Sequence, residues 1–475
     1  MLSDGEGPSI VGRASHGARL LTARGAGMRA LSIGANIALV ALVSPADLGL
    51  LAIVRGVTGV AGTSSDLGFA WALLRRADAP SSDEYAGLAG MQFLLLAGFL
   101  AVFVAAPSLL TTIGAVPAVW RAAMLLVLAT MLSVPFGTGA RIRIERDLDF
   151  RRIAIADVSS VLIQNIALLG FAIARQFALG VFISTGVTLL YTNVLLWYWS
   201  PGPGPGFRFA TWRRLGREFA GFSVGHVGAV LNNSVTPIVI AHLFGLTTAG
   251  LWALAVRLGN VLQLAHEGYR RAAVPAAALL SNSRAQLQRL ASETLAGAVR
   301  WTAPLLGLMV AALPALGWFL PRWAPAVPLA QCYLIGFGLT GLYAAAVIPV
   351  AVALKGPRPV IIEQFAPVIA GWAALGVLAL IHRSTIVWAI APMFAVLALA
   401  LWRIAAANVR PVLDRQWMAW GVALAGTIVA TAFAQSLRLP GYLVAALGVG
   451  ALIVSRAAAL APDWISGTPV DRSIA

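Results

Sequence analysis

Long apolar runs recur along the whole chain, and short polar connections that carry most of the arginines separate them. Each run holds about 17–25 residues, the length that an α-helix needs to cross the hydrocarbon core of a bilayer. The pattern predicts an all-α integral membrane protein with fourteen transmembrane helices, termed spans 1–14. Spans 1–7 cover residues 28–44, 48–71, 86–106, 118–139, 153–174, 178–199 and 218–243. Spans 8–14 cover residues 249–270, 301–320, 328–353, 362–381, 386–402, 417–434 and 440–456.

Composition supports the same class. Of 475 residues, 59% are hydrophobic and only 11% are charged, which is typical of a polytopic membrane protein. The single cysteine, Cys332, leaves no partner for an intrachain disulfide and no Cys-based metal site. We expect no metal, no cofactor and no catalytic group. The N-terminal segment lacks a short apolar region followed by a cleavage site, so span 1 is expected to be retained.

The basic residues predict the orientation in the membrane. Of the 34 Lys and Arg residues, 27 fall in alternate connections on one side and 4 in connections on the other. Cytoplasmic loops carry such an excess, so both termini are predicted to be cytoplasmic and the protein to lie in the cell (inner) membrane. The net charge of +16 is spread over eight segments, which favours contact with anionic lipid headgroups over a nucleic-acid partner.

An internal repeat predicts two halves. "LGLLAIVRG" (Leu48–Gly56) and "AGLWALAVRLG" (Ala249–Gly259) share Gly-Leu-x-Ala and a following arginine, about 201 positions apart. The Pro/Gly linker "SPGPGPGFRF" (Ser200–Phe209) lies between them, after six spans. We predict two pseudo-symmetric six-helix lobes plus two C-terminal helices. The longest connection, Arg271–Arg300, is predicted to be an interfacial helix. The predicted segments are 1–27 (cytoplasmic), 28–200 (N-lobe), 201–217 (linker), 218–402 (C-lobe) and 403–475 (spans 13 and 14 with the tail).

Polar residues recur on one face of several spans, and lipid does not favour such a face. In span 2, Arg55, Thr58, Gly62 and Asp66 follow helical spacing. Corresponding stripes in both lobes predict a polar cavity between them. Arg55 and Arg257 each lie about seven residues, or roughly 10 Å, inside their span. Arginine binds phosphate through a planar fork, so both are candidate anion contacts. The candidate cavity-lining polar residues are Asn36, Gln164, Ser223, His226, Asn233 and Asn260.

These polar residues also have structural interpretations. Ser, Thr, Asn and Gln commonly form hydrogen bonds between membrane helices, and His226 is more typical of a packing residue than of a proton carrier. The carboxylates Asp66, Asp157 and Glu267 are candidates for ion coupling. Each also has arginines nearby in the sequence with which it could form an ion pair.

Three stretches resemble the polysaccharide transporter (Wzx-like flippase) family of the multidrug/oligosaccharidyl-lipid/polysaccharide exporter superfamily. They are "VSPADLGLLAIVRGVTGVAGTSSDLGFAWALLRR" (Val43–Arg76), "RIRIERDLDFRRIAIADV" (Arg141–Val158) and "LFGLTTAGLWALAVRL" (Leu243–Leu258). The resemblance covers roughly residues 28–360, and Leu48 stands where the family often has an aromatic residue.

The resemblance implies two six-helix lobes and export of a polyprenyl-diphosphate-linked oligosaccharide by alternating access, for cell-surface polysaccharide biosynthesis. Related lipid II flippases place cavity arginines on helices one, two and eight, where this chain has Arg29, Arg55 and Arg257. These three are the predicted diphosphate contacts. Membrane lipids and a polysaccharide polymerase are the other implied partners.

Two alternatives remain open. One is a multidrug or cation antiporter of the same superfamily, which would favour a carboxylate-rich lobe. The other is a membrane glycosyltransferase or polymer ligase. The predicted outer connections are short and contain no paired carboxylates, so we expect no enzymatic activity.

Overall fold

The computed structural model describes residues 34–35, 38–66, 73, 80–105, 117–147, 149–280, 282–381, 386–407 and 449. These residues form helices and turns, and no strand occurs among them. Helices α1–α6 are Pro45–Asp66, Ser82–Ala105, Pro117–Arg146, Phe150–Ile173, Phe177–Trp199 and Phe209–Val230. Helices α7–α11 are Thr236–Leu279, Arg284–Phe319, Ala326–Lys355, Arg358–Leu380 and Val387–Ala407. Leu231–Val235 is a π-helix, and Pro321–Trp323 is a 3₁₀-helix.

Within these residues, ten helical stretches are long and apolar enough to cross a membrane, and they match predicted spans 2–12. Ten stretches account for eleven spans because Ser223–Gln263 is one 41-residue stretch that contains spans 7 and 8. Gly245 breaks it with φ 86° and ψ 169°, a backbone conformation that only glycine adopts readily. The all-helical membrane architecture is therefore confirmed, whereas segment 1–27, span 13 and all of span 14 except residue 449 lie outside the described residues.

The start of α1 follows directly from its sequence. Ser44 precedes the helix, and its hydroxyl donates to the Asp47 carboxylate at 2.7 Å and accepts from the Asp47 backbone N–H at 3.2 Å. The same carboxylate accepts from the Ser44 N–H at 3.1 Å, which completes a reciprocal cap of the first turn. Pro45 occupies the first helical position, where no N–H donor is needed.

The described residues fall into two compact units, one that ends at Gly250 and one that begins at Leu251. In the first unit, α3, α4 and α5 meet in a buried cluster of Ala140, Ile144, Ile153, Ala156 and Leu196. In the second unit, α9 packs against α8 and α11. Its segment Ala344–Ala351 is buried, and the next residue, Val352, is half-buried. Large apolar side chains such as Leu125, Ile166 and Leu380 remain exposed, as expected for helices that face lipid.

The Pro/Gly linker is packed along the start of α2. The Gly206 N–H donates to the Ala86 carbonyl oxygen at 2.7 Å. A Cβ atom on Gly90 would lie 2.2 Å from the Gly206 carbonyl oxygen, so the two backbones touch. At the beginning of the linker, Arg143 donates to the Ser200 hydroxyl at 3.0 Å. The Pro/Gly composition of the linker does not reveal these contacts.

The predicted interfacial helix over Arg271–Arg300 is wrong as a separate element. Helix α7 continues to Leu279, and α8 begins at Arg284 and runs without interruption to Phe319. Ser283 caps α8 by accepting from the Gln286 N–H at 3.4 Å. The basic connection is therefore formed by the extended ends of two long helices.

Candidate functional site

Helix α1 packs closely against the helical segment around the π-helix. A Cβ atom on Gly56 would lie 2.4 Å from the Ser234 carbonyl oxygen, and one on Gly59 would lie 2.5 Å from the Ser234 hydroxyl. We call Gly56, Gly59 and Ser234 the glycine seam. Nearer the start of α1, Gly49 makes the corresponding contact with Leu246. The two segments therefore run antiparallel, because the partner number falls as the α1 number rises.

Arg55 lies directly beside the glycine seam. Its side chain is exposed, although the neighbouring Val54, Gly56 and Val57 are buried. Within the described residues, its guanidinium forms no ion pair and no hydrogen bond. A positive charge in the interior of an apolar helix is costly unless water or an anion faces it. Arg55 therefore stays a candidate anion contact, as the sequence predicts.

The candidate polar residues of span 7 belong to the same unit. Ser223 and His226 are half-buried on α6, and Asn233 is exposed in the π-helix. The Nε2 atom of His226 is buried and has no hydrogen-bond partner within the described part of the chain. π-Helical turns are rare and occur frequently at functional sites. The turn contains a polar triplet that begins at Asn232, but the sequence analysis did not identify it as a π-helix.

The second unit contains the polar stripe of span 8. Arg257 is half-buried on α7, whereas Asn260 and Gln263 are exposed. Offsets of three residues keep these side chains near one face of the helix. On another face, His266 is buried against Phe337, at a ring-centroid distance of 5.7 Å, and against Gly341.

Sequence reasoning missed an ion pair that joins α7 to α10. Arg270 donates to both carboxylate oxygens of Glu363, at 2.8 and 3.0 Å. Glu363 is buried, with 8% of its surface exposed, so the pair is largely shielded from water. A glutamate near the start of apolar span 11 was the available signal. Its partner lies 93 positions away, beyond the reach of any local pattern.

Asp157, a candidate for ion coupling, has an arginine partner. Its carboxylate accepts from Arg141 at 2.6 Å, and Arg141 also contacts Glu145 at 3.2 Å. The arrangement links α3 to α4 at their basic ends. Gln164 is half-buried two turns further along α4. Geometry therefore favours a structural role for Asp157.

The remaining candidates lie outside the described residues: Arg29, Asn36 and the side chains of Asp66 and Glu267. Among the residues that are described, no group of three His, Cys, Asp or Glu side chains could hold a metal ion.

Comparisons with known proteins identify the family. The sequence profile described as "Polysaccharide biosynthesis protein" matches residues 38–328, which is more than half of the chain. A structure of the lipid II flippase MurJ in an inward closed conformation has a TM-score of 0.68 and 12% identity, and the alignment covers 94% of this chain and 99% of MurJ.

An inward-facing multidrug resistance transporter of the MATE family, from the MOP superfamily, has a TM-score of 0.58 and 14% identity, with 80% of this chain and 95% of the transporter covered. A comparison with curated protein sequences gave no match. The identities are low, so these two structures establish the fold alone. The chain has the fold of MurJ and MATE transporters, and it belongs to the polysaccharide biosynthesis protein family.

Proposed function

We propose that this protein is a flippase that moves a polyprenyl-diphosphate-linked oligosaccharide across the cytoplasmic membrane by alternating access, for cell-surface polysaccharide biosynthesis. The family and the fold support a membrane transporter or flippase, and the substrate is our inference. The observation that carries it is Arg55, an exposed guanidinium in a membrane helix with no ion pair among the described residues.

The diphosphate is the group that Arg55 fits best. A guanidinium forms two parallel charge-assisted hydrogen bonds to a phosphate, and such bonds are roughly twice as strong as neutral ones. We propose that Arg29 and Arg257 bind the same diphosphate. The candidate cavity-lining residues would then offer polar contacts to the sugars. These residues are Asn36, Gln164, Ser223, His226, Asn233 and Asn260.

The proposal includes the finer topology that the basic residues predict. We propose fourteen spans in two pseudo-symmetric lobes, with both termini in the cytoplasm and the protein in the inner membrane. An inside-negative potential then favours outward movement of the anionic headgroup by about 2.3 kcal/mol per charge per 100 mV. Asp66 and Glu267 are the proposed sites of any further ion coupling, whereas we propose a structural role for Asp157 because its carboxylate is paired with Arg141. A polysaccharide polymerase is the proposed recipient of the exported glycan.

A multidrug or cation antiporter is the competing function within the superfamily. A site for cationic drugs needs carboxylates, whereas the first unit presents Arg55 and leaves Asp157 paired with Arg141. The positive charge of Arg55, which forms no ion pair with any residue that the structure describes, therefore favours an anionic substrate. An enzymatic role has no comparable support, because the structural relatives are transporters.

Transport in proteoliposomes tests the proposal. The substrate is a fluorescent polyprenyl-diphosphate oligosaccharide, and translocation is measured by quenching of the label on one leaflet. We expect Arg55→Ala to reduce the rate at least tenfold and Arg55→Lys to recover part of it, because lysine keeps the charge but loses the fork. The matched control is Arg213→Ala, which removes an exposed arginine from α6. An unchanged rate in Arg55→Ala would overturn the proposed headgroup site.

A further inference from the structure

The π-helix Leu231–Val235 interrupts an otherwise α-helical membrane segment. The backbone N–H of Thr236 donates to the Leu231 carbonyl oxygen, five residues back, and the Thr236 hydroxyl donates to the same oxygen at 3.1 Å. The hydroxyl thus stabilises the wide turn. The turn contains three consecutive polar residues, Asn232, Asn233 and Ser234, at a depth where apolar side chains are expected.

The glycine seam fixes the π-helix against α1. Ser234 occupies the space that side chains at Gly56 and Gly59 would fill. Its carbonyl oxygen faces Gly56 and its hydroxyl faces Gly59, so the turn has little freedom to slide along α1. The contact therefore determines on which side of α1 the side chains next to Ser234 project.

Helical geometry places Asn233 on the same side of the glycine seam as Arg55. The two segments run antiparallel and both wind to the right, so a two-fold axis perpendicular to them relates their surfaces. Under that symmetry, residues that precede the contact by one position project to the same side. Arg55 precedes Gly56, and Asn233 precedes Ser234. Asn232, one position earlier, points away from α1 and is half-buried.

Both side chains on this side of the glycine seam are exposed, and the Asn233 amide forms no hydrogen bond within the described residues. An asparagine amide offers two donors and an acceptor with two lone pairs, which matches neighbouring hydroxyl groups on a sugar ring. In a diphosphate-linked glycan the first sugar is joined directly to the phosphate. A phosphate held by Arg55 therefore brings that sugar next to the seam.

We propose that Asn233 is a specificity residue that binds the first sugar of the substrate, and that the π-helix positions its amide beside Arg55. The inference rests on the proposed function, in which Arg55 binds the diphosphate. Arg55 and Asn233 thus bind two different parts of the headgroup, the diphosphate and the first carbohydrate ring. The consequence is that Asn233 discriminates glycosylated from sugar-free polyprenyl diphosphate, whereas Arg55 recognises both.

Binding to the purified full-length chain separates the two roles. The probes are polyprenyl diphosphate and the same lipid carrying one glucose or one N-acetylglucosamine. We expect Asn233→Ala to weaken binding of at least one glycosylated probe about tenfold, as expected for the loss of one or two hydrogen bonds, and to leave binding of the sugar-free probe unchanged. Asn232→Ala is the matched control, because it removes the same amide one position away and should alter neither affinity. Thermal unfolding confirms that each variant is folded, and Asn233→Ser provides a second, smaller polar substitution.

Each result decides one of the two proposals. Equal affinity of wild type and Asn233→Ala for both glycosylated probes, with Arg55→Ala weakened, overturns the role of Asn233 and leaves the flippase proposal standing. An equal loss of affinity for all three probes in Asn233→Ala also overturns the role of Asn233, because that result indicates a general effect on the phosphate site. Failure of wild type to bind any of the probes overturns the proposed function itself.

Discussion

Gly49 and Gly250 pack against each other through reciprocal contacts. A Cβ atom on Gly49 would lie 2.0 Å from the Leu246 carbonyl oxygen, and one on Gly250 would lie 1.7 Å from the Pro45 carbonyl oxygen. Gly49 and Gly250 are 201 positions apart in the chain, and so are Pro45 and Leu246. The contact therefore has the pattern of a local two-fold axis, with the same offset as the repeated Gly-Leu-x-Ala motif.

This contact predicts that Gly49→Ala destabilises the protein. The added methyl group overlaps a backbone carbonyl, which is unable to move aside like the end of a flexible side chain. Overpacking of this kind costs about 1–3 kcal/mol. We expect a lower unfolding temperature in detergent and a smaller yield of folded protein. Gly98→Ala is the control: nothing lies within 4 Å of a Cβ atom there, and alanine is the better helix former. Equal unfolding temperatures for the two variants would show that the contact between Gly49 and Leu246 tolerates a side chain.

The contact between Gly90 and Gly206 predicts that Gly90→Val detaches the linker from α2. A side chain at Gly90 meets the Gly206 backbone at 2.2 Å, so the linker must move and the Gly206 N–H loses its bond to Ala86. We expect faster amide hydrogen exchange in the peptide that spans residues 200–208. Gly204→Ala lies in the same linker with nothing within 4 Å and should leave exchange unchanged. Unaltered exchange in Gly90→Val would mean that other contacts hold the linker.

The amino-acid sequence predicted those features that depend on local pattern. Apolar run length located the spans that the structure describes. The Ser44–Asp47 cap and the break at Gly245 are also local features, although the sequence analysis did not predict them. Contacts between distant positions had no such signal. The linker binds α2 through Ala86, more than a hundred positions away, and Arg270 meets Glu363 across 93 positions. The π-helix was also hidden, because one wide turn barely alters the helical periodicity of apolar residues.

The ion pair between Arg270 and Glu363 predicts a large stability change. Removing one partner of a shielded pair leaves the other charge buried, which costs about 3–5 kcal/mol. We expect Glu363→Leu to lower the unfolding temperature strongly, and the addition of Arg270→Met to Glu363→Leu to recover much of the loss. The measurement is a double-mutant cycle on thermal unfolding.

The exposed pair of Arg289 and Glu293 is the comparison for that experiment. It has similar geometry, at 2.7 Å, but 78% and 63% of the two side chains are exposed. Glu293→Ala should leave the unfolding temperature unchanged, because solvent-exposed pairs contribute little. A similar effect in both pairs would indicate that shielding from water is not what makes the Glu363 carboxylate important.

The ion pair between Asp157 and Arg141 predicts a structural role for this carboxylate. The Asp157 carboxylate lies 2.6 Å from the Arg141 guanidinium, and a coupling ion would have to displace this partner. We therefore expect Asp157→Asn to reduce stability by about 2 kcal/mol, through the loss of a partly buried ionic contact, while transport per folded molecule responds to a proton or sodium gradient as in wild type.

Rates in proteoliposomes with and without each gradient test the expectation, with Glu145→Gln as the control. That variant removes the other carboxylate from Arg141 and preserves the contact with Asp157. The decisive quantity is the ratio of the two rates, because it does not depend on how much protein is folded. A ratio that falls to one in Asp157→Asn, and keeps its wild-type value in Glu145→Gln, would show that the pair opens during transport and that Asp157 couples the ion.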